Sequence, residues 1–304
     1  MERRGSVRAR GLTAACVVVA MCVPFLGSGC SSLPTEAEGT VVAVTLLPQA
    51  GFVEAVGGER VEVIVMVPPG ASPHTYEVTP YQMVQLSQAK MYARVGSPVE
   101  FELAWMDRLI SVNDEMLVVD CSKGVQFIDA EEGVPHEGED DVHSGVDPHI
   151  WLSVRNAKIM VENICEGLVQ VDPANAEYYT ANCLSYIRAL TQLDDDLTES
   201  MKVLENRTFV VFHPSFGYFA RDYNLIQLAV EQGGSEPDAQ YIVRLIAEAR
   251  ARDIRIVFVA PQISSRSAEV IAREIGGEVV IIDPLARNYV PNMRAVADAI
   301  QQMG

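Results

Sequence analysis

Five histidines are the residues best suited to chemistry in this chain of 304 residues, and four of them sit beside a proline: His74, His136, His149 and His213. Proline ends helices and strands and pushes the residue before it out of the α region, so these imidazoles belong at element ends or in loops. Binding groups tend to be held there on a rigid scaffold. A single such histidine is more simply a polar loop residue in water. The set gains meaning with Asp283, which sits at the end of an apolar run, Val279-Val280-Ile281-Ile282. Three imidazoles (His74, His149, His213) and one carboxylate (Asp283) make a four-donor set suited to a borderline divalent cation such as Zn2+, whereas Mn2+ prefers more oxygen donors. Four protein ligands leave no position for an activated water, which favours capture over catalysis. No H-E-x-x-H, G-x-S-x-G, P-loop or paired-cysteine motif supports an enzyme. The competing readings are a zinc-dependent hydrolase with the same residues as its active site, and an adhesin with a structural metal.

These donors are positioned by alternating strands and helices. Apolar, β-branched runs at 40–46, 60–67, 91–95 and 116–120 read as strands of a buried sheet, with helical stretches at 80–89 and 98–110 between them. The alternation resumes with strands at 208–212, 225–230, 255–260 and 278–282 and helices at 237–252, 264–275 and 291–302. This is an α/β fold of two lobes, each with a mostly parallel sheet flanked by helices. Ser153 or Asn156 can cap a helix running to 169, and Asp172-Pro173 can start the next, with Asp as its cap. From Ala174 to about Leu204 there is neither proline nor glycine, and apolar residues recur at helical spacing, so a rod of roughly 45 Å joins the lobes as a spine. In open parallel sheets ligands bind beyond the carboxyl ends of the strands. Three strands of the second lobe run into similar endings, VFHP, FVAPQ and IIDP, which places His213 and Asp283 on one edge. The expected divisions are a lobe at 40–172, a linking helix at 173–205 and a lobe at 206–304.

Residues 1–29 stand apart. Arg3, Arg4, Arg8 and Arg10 precede an uncharged apolar run from Leu12 to Leu26, shorter than the roughly 20 residues that a spanning helix needs. It reads as a signal peptide. Small residues before Cys30 and a polar linker at 30–39 resemble a lipoprotein processing box, with Cys30 the site of lipidation and of membrane anchoring. An exported chain permits disulfides, and Cys165 and Cys183, on either side of a short helical break, can meet across a helical hairpin. The formal charge of −18 disfavours nucleic acid and anionic lipid and concentrates cations near the surface. Residues 129–147, rich in acidic residues and glycine and containing His136 and His143, read as a surface loop that leads into His149 and can serve as an auxiliary metal loop.

Several ordered motifs together carry a resemblance. VMVPPGASPHTYEVTPYQMVQLSQAKM, DPHIWLSVRNAKIM, VDPANAEYYTANCLSYIRALTQLDDDL, VFHPSFGYFARDYNL and APQISSRSAEVIAREIGGEVVIIDPLA, spread over nearly all of 40–302, are similar to the metal-binding solute receptors of ABC importers, the zinc/manganese family of ZnuA-like and TroA-like lipoproteins. The resemblance implies two α/β lobes on one long helix, and ligands at His74, His149, His213 and Asp283. It implies a cargo of Zn2+ (or Mn2+), a permease and an ATPase as partners, a monomeric receptor and an extracytoplasmic place. Before Pro261-Gln262 the family often carries Glu, and this chain has Ala260.

Overall fold

The computed structural model describes residues 39–130, 145–231 and 237–303. Two four-stranded parallel sheets form the frame. The first contains β1 (Thr40–Val44), β2 (Val61–Val65), β3 (Met91–Arg94) and β4 (Leu117–Asp120) in the order β2-β1-β3-β4. The second contains β5 (Thr208–Val211), β6 (Ile226–Ala229), β7 (Ile256–Val259) and β8 (Glu278–Ile281) in the order β6-β5-β7-β8. The central strands are buried along nearly their whole length, as their unbroken apolar runs require, while the edge strands β2 and β8 are partly exposed.

Helices α1 (Leu47–Gly57), α2 (Pro80–Leu86) and α3 (Glu100–Ile110) connect the first four strands. Gly58 ends α1 at φ +51°, and a Cβ there would lie 2.3 Å from the Tyr178 hydroxyl, so both conformation and space require glycine. Helix α4 (Val154–Val171) is capped by Ser153, whose Oγ accepts from the Asn156 N–H at 3.0 Å.

The spine is α5 (Ala176–Lys202), 27 residues and about 40 Å long. It begins later than the sequence implied. Asp172 and Pro173 open a single 3-10 turn, and Asp172 does not cap it. Its carboxylate instead accepts from the Tyr179 hydroxyl and from Asn175 Nδ2, both at 2.7 Å. Helix α5 packs on α1 and α4 and also on α6 (Gly217–Tyr223) and α9 (Tyr289–Gln301), so it touches helices belonging to both sheets. Helix α6 was not foreseen, because its seven residues are too short to show a period.

One apolar cluster runs without a break from the first sheet through α1, α4 and α5 to α6 and α9. A second, smaller one lies between the second sheet, α7 (Ala239–Ala251) and α8 (Arg266–Ile275). Cys165 on α4 and Cys183 on α5, which the sequence allowed to pair as a disulfide, are buried free thiols, and Cys165 Sγ donates to the Tyr179 carbonyl at 3.8 Å. No described helix is long and apolar enough to cross a membrane. Cys30, His136, His143 and the leader at 1–29 lie outside the described residues.

Candidate metal centre

His74, His149 and His213 come together, with one ring nitrogen of each within 4.8 Å of the others. Among the described residues this is the one group of three or more metal-capable side chains. Each donor is delivered differently. His213 follows β5 directly after Phe212, whose N–H donates to the Phe258 carbonyl at 2.7 Å and so extends the sheet by one rung. His149 precedes a single 3-10 turn at Ile150–Leu152. That segment is fastened by Ser97 Oγ donating to the Pro148 carbonyl at 2.5 Å, by Asn156 Nδ2 donating to the Ile150 carbonyl at 3.2 Å, and by Trp151 Nε1 donating across the lobes to the Pro284 carbonyl at 2.8 Å.

His74 sits on the long strap after β2. The strap turns on itself where the Tyr76 N–H meets the Ser72 carbonyl at 3.0 Å. Its far end is held by α2: Thr79 Oγ1 accepts from the Gln82 N–H, and Gln82 Nε2 donates back to the Met66 carbonyl at 2.7 Å.

The imidazole rings lie edge to face. His74 and His213 are 4.8 Å apart between centroids, and His149 and His213 are 5.2 Å apart. The Nε2 atoms of His149 and His213 are 3.2 Å apart. A tetrahedral ion with Zn–N bonds of 2.0–2.1 Å separates its nitrogens by about 3.3 Å, so this pair already spans one edge of such a site. The cavity above the rings has a volume of about 30 Å3 and mainly apolar walls that include Trp151, Ala260, Ile263 and Leu285. That is roughly the volume of one water molecule.

Each ring also carries a carboxylate at Nδ1: Glu100 on His74 at 3.0 Å, Asp147 on His149 at 2.8 Å and Glu231 on His213 at 2.7 Å. The hydrogen bond to Glu100 raises the pKa of His74 above the ordinary imidazole value, against burial. For His213 burial wins over Glu231, and the two neighbouring imidazoles add to it, so its pKa is lowered.

The fourth expected donor does not join the group. Asp283 follows β8 after Ile282, but its Oδ1 accepts from Gln262 Nε2 at 3.0 Å and from the Leu285 N–H at 2.9 Å, a local turn that competes for the carboxylate. The set brought together is thus three imidazoles. Three donors leave one position of a tetrahedron open, so this geometry does not exclude a water as the fourth ligand.

Glu100, Asp147 and Glu231 were missed as parts of the site, although two of them had readable signals. Asp147 stands two residues before His149 in the Asp-Pro-His segment. In the parallel register β5 pairs Val211 with Ala229, so extending it two residues sets His213 beside Glu231. Glu100, at the start of α3, had no signal in the sequence.

The sequence profile of the family described as zinc-uptake complex component A, periplasmic, matches residues 42–303. The high-affinity zinc uptake system protein ZnuA of Bacillus subtilis is 28% identical over 279 residues, which cover 90% of this chain and 86% of that protein. A putative metal-binding protein of Treponema pallidum is 29% identical over 287 residues, 90% of each. A crystal structure of a ZnuA superposes with a TM-score of 0.81 at 37% identity, over 88% of this chain and 99% of the other. The laminin-binding protein of Streptococcus agalactiae, at 22% identity and a TM-score of 0.77, shares the fold. Two parallel sheets on one long helix, three converging imidazoles and a profile match along almost the whole described chain lead to one conclusion: the chain belongs to the ZnuA family of periplasmic zinc-uptake components, the metal-binding receptors of ABC importers.

Proposed function

We propose that this chain captures Zn2+ between its lobes with the Nε2 atoms of His74, His149 and His213 and delivers it to the permease of an ABC importer. The observation that carries the reading is the convergence of three imidazole nitrogens, two of them already at the spacing of a tetrahedral edge, around a cavity of ion size. Three nitrogen donors suit zinc better than manganese, and Mn2+ is the second cargo to test. Asp283 completes the four-donor set by turning its carboxylate from Gln262 to the ion. The cavity is about a tenth of the smallest volume usual for organic ligands, which supports an ion as cargo and speaks against an ester or peptide substrate. An apolar core shared by both lobes and α5 resists wide hinge opening, so release proceeds by movement of the strap that bears His74. The receptor acts as a monomer outside the cytoplasm, tethered through a lipid at Cys30.

Elemental analysis of the natively purified protein, followed by calorimetry with Zn2+ and Mn2+ on wild type and His149→Ala, tests the reading. Zinc is expected in the purified protein and its binding is expected to collapse in the variant. Equal zinc affinity in the two proteins would remove His149 from the ligand set. Turnover of an ester or peptide by the zinc-loaded protein would favour the hydrolase.

A further inference from the structure

The Nδ1 side of the imidazole cluster is as ordered as the Nε2 side. An ionised carboxylate can only accept, so a ring nitrogen beside one carries the hydrogen. Glu100, Asp147 and Glu231 stand 3.0, 2.8 and 2.7 Å from the three Nδ1 atoms, and a ring that gives its hydrogen to such a carboxylate presents a lone pair at Nε2. In that tautomer the Nε2 atoms of His149 and His213, 3.2 Å apart, have no hydrogen to share. Two lone pairs face each other, and a cation set between them turns that repulsion into binding.

We propose that Glu100, Asp147 and Glu231 are positioning residues that lock all three imidazoles in the Nδ1–H tautomer and aim them before the ion arrives, with an importance that follows how firmly each carboxylate is itself held. This rests on the capture reading above.

The three are held very differently. The Asp147 side chain is 5% exposed, and its Oδ1 also accepts the His149 N–H at 2.8 Å. Its carbonyl accepts the Tyr218 hydroxyl at 2.9 Å, and its N–H donates to the Ile128 carbonyl at 3.0 Å. The space beyond its Oδ2 is closed by Gly217, where a Cβ would lie 2.5 Å from that oxygen. The glycine opening α6 is therefore the room in which Asp147 sits. Glu231 is 18% exposed, and its backbone N–H donates to the Phe212 carbonyl at 2.9 Å, which keeps it in register with His213. Glu100 is half exposed at the first turn of α3.

Partners that orient a metal-ligating histidine are worth about 10- to 100-fold in affinity. Asp147→Ala is therefore expected to weaken zinc by about 100-fold, Glu231→Ala by about tenfold and Glu100→Ala by only about threefold, this last lowered for its exposure to solvent. Asp147→Asn, which keeps an oxygen in front of Nδ1, is expected to recover most of the loss. Gly217→Ala is expected to weaken zinc by about tenfold through Asp147 alone, with no ligand altered.

The experiment pairs zinc competition against a chromophoric chelator with long-range 1H–15N correlation of the imidazole nitrogens in the metal-free full chain, both at pH 8. The expected spectrum has a protonated Nδ1 on all three rings, with His149 losing that signature in Asp147→Ala and keeping it in Asp147→Asn. A wild-type spectrum showing Nε2–H on these rings overturns the proposal, and this reading needs no metal. So do Asp147→Ala and Gly217→Ala proteins that bind zinc within twofold of wild type. If His149→Ala abolishes zinc binding while the carboxylate variants match wild type, the capture reading stands and this inference falls. If wild type itself takes no zinc, the capture reading falls while the spectrum still decides the tautomers.

Discussion

The two lobes use the same strand order and yet serve the site by different means. In the second lobe, His213 and Glu231 ride on adjacent strands, and sheet register alone sets them side by side. In the first lobe, His74 hangs on a long strap pinned by α2, and His149 sits in a loop bound to Ser97, Asn156, Tyr218 and Pro284. Register is the stiffer device, because moving one residue means breaking a ladder of backbone hydrogen bonds. A strap moves when a few side-chain contacts let go. The difference assigns roles: His213 and His149 form the fixed wall of the site, and His74 is the part that can leave.

The largest expected effect tests that division. His149→Ala and His213→Ala should each weaken zinc by at least about 100-fold, beyond what loss of a supporting partner costs, and His74→Ala should cost less. Calorimetry of the three variants decides it, and an equal loss in all three would erase the distinction between wall and strap.

Next is the bond that ties the lobes together. Trp151→Phe removes the donor to the Pro284 carbonyl in a buried place and should cost about 1–3 kcal/mol in chemical denaturation. Behind it comes the strap itself. Thr79→Ala removes the cap of α2 at a cost of about 1 kcal/mol and should speed zinc release in stopped-flow more than it slows capture.

The pH response sharpens the comparison further. A metal needs neutral imidazoles, so protonation competes with binding. His74 is raised above its ordinary value of 6.5 by Glu100, while His213 is lowered chiefly by burial. As pH falls, His74 therefore takes its proton before His213, and zinc affinity should begin to drop above pH 6.5 through the strap. Glu100→Ala should move that onset to lower pH in a titration of affinity against pH. The smallest effect belongs to the surface pair of Arg287 and Glu54, both well exposed: Arg287→Ala should change stability by no more than about half a kcal/mol.

Much of the frame was legible because its signals are local. Apolar β-branched runs marked all eight strands to within two residues, Ser153 marked the start of α4 and Pro80 that of α2. The spine was legible from the lack of proline and glycine after Ala174. Errors arose where a local signal had a stronger tertiary competitor. Asp172 looked like a helix cap and instead serves Tyr179 and Asn175. Asp283 follows the strand where the sequence placed it, and what no local pattern carried is the contact of its Oδ1 with Gln262 and the Leu285 N–H.

By itself the sequence determined the alternation of strands and helices, the spine, the imidazoles at element ends and the family. Each depends on propensities and motifs carried by residues near one another in the chain. Only the tertiary structure decided which carboxylate stands behind each imidazole, that the Asp283 carboxylate meets Gln262 and the Leu285 N–H, and that one core runs through both lobes. Those facts depend on how separate loops and strands approach in space. Neither the path of the strap that brings His74 to Glu100 nor the fit of Gly217 against Asp147 is carried by any local pattern.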